Sequence, residues 1–125
     1  MEKLIRTKLR LVIEEGDKHK EPEERATFRT AGFDEQLGLL ITKLGEECDE
    51  LKKAFEKDDL SKMQLELADI LQVIDSLFVL RGLDPITINH LKAKKLKERG
   101  GFNERVVASF PDGWEIPKKA AKLKQ

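Results

Sequence analysis

The residues of this sequence best placed to do chemistry are two acidic pairs with the same spacing, Glu47 with Glu50 and Glu66 with Asp69. On a helix, side chains three residues apart are neighbours, with Cβ atoms about 5–6 Å apart. Glu47 and Glu50 lie beside the apolar stripe of Leu44, Cys48 and Leu51 rather than opposite it. Glu66 and Asp69 interrupt MQLELADILQVIDSLFVL, a run that is otherwise almost wholly apolar. A carboxylate in such surroundings needs a cation, a proton or a metal, because burying it unpaired is costly. No Lys or Arg stands between Lys62 and Arg81 to neutralise the second pair locally. If the two helices pack antiparallel, with axes about 8–10 Å apart, all four carboxylates can converge on one point. An all-oxygen cluster suits Mg²⁺, with Mn²⁺ as a substitute. Zn²⁺ does not fit, since His19 and His90 have no metal-ligand spacing to a cysteine or a second histidine. Two plainer readings stand beside the metal: a solvated acidic edge, and a salt-bridge network with a basic fourth helix.

The elements that must position these acids follow from periodicity. Leu37, Leu40, Ile41, Leu44, Cys48, Leu51 and Phe55 recur every three or four residues, which predicts a helix over 34–55. Cys48 on that stripe reads as a core thiol. Asp58 and Asp59 interrupt the pattern, and Ser61 with Gln64 forms a possible capping box for a third helix running to Arg81, with Gly82 as its stop. Asp84-Pro85 then offers an N-cap and a first-turn proline for a basic fourth helix to Arg99, ended by Gly100-Gly101. Upstream, Leu4, Ile5, Leu9, Val12 and Ile13 predict a short helix over 3–15 that stops at Gly16. Residues 17–33 have no period and read as an arm. The expectation is an all-α, four-helix bundle-like fold. It is organised as a helical domain over 1–107 and a basic tail over 108–125.

Composition supports helices and excludes several function classes. Charged residues make up 38% of the chain and aromatics 6%, with no Tyr, which suits helices with solvated faces better than a sheet sandwich. Twenty-four basic residues balance twenty-four acidic ones, so no global field favours nucleic acid or anionic lipid. A single cysteine forbids an internal disulfide and fits a reducing compartment. No apolar stretch approaches the roughly 18 residues of a membrane span, and MEKLIRTKLR lacks a signal-peptide core. The sequence therefore reads as cytoplasmic, with no membrane partner.

Four blocks carry a family resemblance. Glu46-Glu47-x-x-Glu50, fifteen intervening residues and Glu66-x-x-Asp69 resemble the signature of MazG-like nucleotide pyrophosphohydrolases, an all-α superfamily that includes phosphoribosyl-ATP pyrophosphohydrolases. KLGEECDEL and ELADILQVIDSL match the usual wording around it. KLKERGGF, from Lys95 to Phe102, resembles the end of the fourth helix, and KLIRTKL resembles the opening of one branch of small members. Thr7 and Arg10 depart from that branch, which usually has Asp and often Pro there. The 17–33 arm and the chain after 107 match no motif, and these are the regions expected to shape the base pocket.

The resemblance implies Mg²⁺-dependent hydrolysis of a nucleoside triphosphate between the α- and β-phosphates, giving a monophosphate and pyrophosphate. In that scheme Glu47, Glu50, Glu66 and Asp69 hold the metal, and Glu46 or Glu47 orients the attacking water or accepts its proton. The cations that meet phosphate charge are expected among Lys43, one turn before Glu47, the pair Lys95 and Arg99 on the fourth helix, and Arg6 and Lys8. The apolar third helix exceeds what one short chain can cover, and the family implies a homodimer or homotetramer. Phosphoribosyl-ATP is the alternative substrate. A catalytically silent module that binds nucleotide or protein is the alternative of another class.

Overall fold

The computed structural model describes residues 1–115; the basic run at 118–125 lies outside the described residues. Among these, four α-helices and one short 3₁₀ turn are present and no strand: α1 (Leu9–Asp17), α2 (Phe33–Glu56), α3 (Leu60–Arg81) and α4 (Pro85–Arg99). This is the all-α class that the sequence predicts. The chain divides into two compact units, Met1–Leu83 and Asp84–Gln125.

The first unit is built on a hairpin of α2 and α3, whose direction reverses in three residues. Asp58 adopts φ 52°, and the Asp59 amide returns to the Ala54 carbonyl at 3.0 Å, closing α2. The Asp59 carboxylate then accepts from the Lys62 amide at 3.0 Å and opens α3. The cap is thus Asp59, not the Ser61–Gln64 box: the reversal sets the start of α3 two residues earlier, and the Asp59 carboxylate already satisfies an orphan amide. At the far end Gly82, at φ 60°, terminates α3 as expected, with the Leu83 amide donating to Phe78 O at 2.9 Å. The Arg81 guanidinium lies 3.6 Å from Asp34 and ties the last turn of α3 to the first turn of α2, as an antiparallel pair requires. The hairpin seam buries Leu40, Ala54 and Val73.

The first helix is shorter and later than its pattern suggests. Residues 1–6 are not helical, and α1 covers Leu9–Asp17, running through Gly16. The N-terminal segment is drawn away by long-range ion pairs of Glu2, Lys3 and Arg6, which outweigh the weak intrinsic stability of a short helix. The helix ends where the Asp17 carboxylate accepts from the Ala26 amide at 2.8 Å and pairs with Lys20 at 3.0 Å. Between α1 and α2 the expected arm is irregular over residues 18–32 apart from Pro22–Glu24, with Asp17 and Phe33 belonging to the flanking helices.

In the second unit, Asp84 caps α4 by accepting from the Ile86 amide at 3.0 Å, Pro85 fills the first turn, and Gly100 ends the helix. Beyond it Trp114 stacks on Phe110, with ring centroids 4.2 Å apart.

Candidate metal centre

Two of the five buried residues among those described are acids. Glu47 is 9% exposed and Glu66 6%, alongside three apolar neighbours in the same hairpin seam. Their burial follows from register: each occupies a core-facing position of its helix, so antiparallel packing turns both into the seam. Asp69, one turn beyond Glu66, brings a third carboxylate. Ligand oxygens of Glu47, Glu66 and Asp69 all lie within 4.8 Å of one another.

Three like charges so close repel, and the molecule answers with cations. Lys43 Nζ lies 3.4 Å from Glu47, and Lys62 Nζ lies 3.6 Å from Glu66, both one turn earlier on the same helix. Arg6, from the N-terminal segment, donates to Asp69 at 2.6 Å. Burial pushes the Glu47 carboxyl above its ordinary value, the adjacent Glu66 carboxyl raises it further, and Lys43 opposes the shift. The cluster therefore favours any added positive charge.

Glu46 and Glu50 flank the cluster without joining it. Glu46 is half-exposed, with Lys3 Nζ at 3.8 Å. Glu50, one turn after Glu47, pairs with Lys53 at 3.3 Å. Of the four expected ligands the structure brings three together. Of the expected cations, Lys43 and Arg6 reach the carboxylates, Lys8 is exposed just before α1, and Lys95 and Arg99 stand one turn apart, exposed, on α4 of the second unit. Lys62 was missed, although its four-residue spacing to Glu66 is a readable signal. Lys3 was missed too, and no local signal marks it. Cys48 is exposed in the single chain, not a core thiol, because the seam turns toward Glu47 at that level.

The donor set fits a hard divalent ion. Oxygens bound to one Mg²⁺ lie at about 2.1 Å from it, and so at most about 4.2 Å from one another. Carboxylates already within 4.8 Å need only small side-chain rotations to meet that limit.

Residues 8–95 match the profile of the phosphoribosyl-ATP pyrophosphohydrolase family. The chain belongs to that family. It is therefore a pyrophosphohydrolase-type hydrolase within the MazG-like superfamily, with a nucleotide-like substrate and divalent-metal-dependent chemistry, and the acid triad lies inside the matched segment. Searches of curated proteins and of solved structures return no significant match. Lys3 and Arg6 fall outside the matched residues.

Proposed function

We propose that this protein hydrolyses a nucleoside triphosphate between the α- and β-phosphates in a Mg²⁺-dependent reaction, releasing a nucleoside monophosphate and pyrophosphate. The observation that carries this reading is the convergence of Glu47, Glu66 and Asp69 from two helices in a buried seam. Glu50 completes the ligand set by releasing Lys53, since it stands one turn from Glu47 on the same helix. A metal held by these four carboxylates would supply Lewis acidity toward the phosphates. Glu46, at the edge of the cluster, would orient the attacking water and take up its proton. Lys43 and Arg6, already beside the carboxylates, are positioned to neutralise charge that develops on the phosphates. Lys8 is a secondary phosphate contact in this scheme.

The family match favours a second reading, phosphoribosyl-ATP as substrate, which uses the same bond cleavage. A pyrophosphate-release screen across nucleoside triphosphates and phosphoribosyl-ATP, with Mg²⁺ and then Mn²⁺, separates the two. Asp69→Asn and Glu66→Gln are expected to lower turnover by about a hundredfold or more, because metal stabilisation is worth several kcal/mol. Release that survives both variants unchanged, or that is absent from every nucleotide tried, defeats the hydrolase reading.

The working form is a homodimer or homotetramer. Leu65, Leu71 and Val79 of α3 are 61–85% exposed in the single chain, and no described side chain is sequestered to below 2%. A second copy supplies the missing cover.

A further inference from the structure

A cleft of the first unit lies beside the acid cluster, not within it. Its volume is about 790 Å³, in the range of small-molecule pockets. Every residue of the N-terminal segment 1–7 lines it except Arg6, whose side chain reaches Asp69 instead. The other contributors are the arm at residues 25–31, together with Arg10 and Ile13 of α1 and Leu39 of α2. The N-terminal segment is thus shared between cleft and cluster. Lys3 shows this directly, lining the cleft while its ammonium lies 3.8 Å from Glu46. Leu39 stands seven residues before Glu46 on nearly the same face of α2, about 10 Å away along the axis.

The chemistry of the cleft is not that of a polyphosphate site. Arg29 is held by two carboxylates, with Nε 2.9 Å from Glu2 and Nη1 2.7 Å from Glu35. Arg25 spends its donors on the carbonyls of Lys20, at 2.8 Å, and Lys18, at 3.1 Å. Arg10 pairs with Glu14 at 2.7 Å and sits over the Phe28 ring, with Cζ 4.8 Å from the ring centroid. What remains is apolar wall (Leu4, Ile5, Ile13, Phe28) with two hydroxyls, Thr7 and Thr27. A planar aromatic–guanidinium pair, aliphatic walls and a few hydrogen-bonding groups match a nucleobase with its sugar.

We infer that this cleft binds the base and sugar of the substrate, while its phosphates extend along α2 to the acid cluster. The inference rests on the pyrophosphohydrolase reading and assigns substrate selection to residues 1–7 and 25–31, most of them outside any catalytic motif. Phe28 and Arg10 form the stacking platform. Leu39 sits on the side toward the cluster, and Arg29 holds the two walls in place through Glu2 and Glu35.

The test is calorimetric titration of the full chain with Mg²⁺ and the α,β-imido analogues of ATP, GTP, CTP and UTP, with inorganic tripolyphosphate in parallel. Phe28→Ala, which removes the platform, and Leu39→Trp, which fills the cleft, are expected to weaken binding of the preferred analogue about tenfold or more. Tripolyphosphate affinity is expected to stay within about twofold of wild type. Thr27→Val keeps the side-chain shape and reads the hydroxyl alone, so it serves if either larger change lowers the melting temperature; its expected effect is an altered ranking of the four analogues. Variants that keep the wild-type melting temperature and bind all four analogues as wild type does overturn the assignment. So does equal loss of analogue and tripolyphosphate binding. Because the analogues are not cleaved, this outcome is independent of the pyrophosphate-release screen, which alone decides the hydrolase reading.

Discussion

At the residue scale, the carboxylates divide by what they touch. Glu47, Glu66 and Asp69 face one another in the seam, while Glu50 faces solvent and Lys53. Arg6 is the pivot between them and the N-terminal segment, with a 2.6 Å bond to Asp69. Arg6→Lys keeps the charge but loses the planar fork that can hold both a carboxylate and a phosphate. Its expected effect is a rise in KM of about tenfold with a smaller change in kcat, read from steady-state pyrophosphate release. A kcat that falls while KM stays fixed would instead place Arg6 in the chemical step.

At the element scale, the α2–α3 reversal and the arm are each held by identifiable side chains. Asp59→Ala removes the cap of α3 and should cost about 1 kcal/mol in urea unfolding. Gly82→Ala introduces a Cβ at φ 60°; that Cβ meets nothing within 4 Å, so the expected cost of about 1 kcal/mol is purely backbone. The arm is tied to the N-terminus by Arg29, which holds the Glu2 and Glu35 carboxyls below their ordinary value of 4.5, while the two carboxylates raise the guanidinium. A lowered folded pKa means that the tie is fully present above the unfolded value and is lost as pH falls through the lowered ones. Protection against amide exchange in residues 1–7 and 25–31, relative to the intrinsic rate at each pH, is therefore expected to fall as pH drops below 4.5, ahead of protection in α2 and α3. Uniform loss of protection across all of them would show that the tie does not hold the arm.

At the scale of the whole molecule, the described core is small for the apolar surface present. Leu40, Ala54 and Val73 are buried, while Leu65, Leu71 and Val79 remain largely exposed. Light scattering is expected to give at least the dimer mass at micromolar concentration, and Leu71→Glu to shift it toward monomer. A stable wild-type monomer excludes the oligomeric working form. Binding of Mg²⁺ or Mn²⁺ to the native seam is linked to folding, so millimolar metal should raise Tm, and Asp69→Asn should abolish the shift. No shift in the wild type would leave the acids as a salt-bridge network with Lys43, Lys62 and Arg6.

The sequence by itself determined the helices that carry the site and the acids they present. The stripe from Leu37 to Phe55, the apolar run around Glu66, Gly82 and Asp84-Pro85 are local signals, written in spacing of three or four residues and in single capping side chains. Local spacing also overreached: it extended the first helix into residues 3–8, chose Ser61 over Asp59, and placed Cys48 in the core. Only the tertiary structure decided which carboxylates meet, since Glu47 and Glu66 face each other across two helices while Glu50 turns to Lys53. It alone brought Arg6 to Asp69 across 63 residues and set a cleft between the N-terminal segment and the arm. The physical reason is that helix periodicity fixes which side of an element a residue occupies, whereas ion pairs between distant segments depend on how the chain returns on itself, and no spacing along the sequence records that.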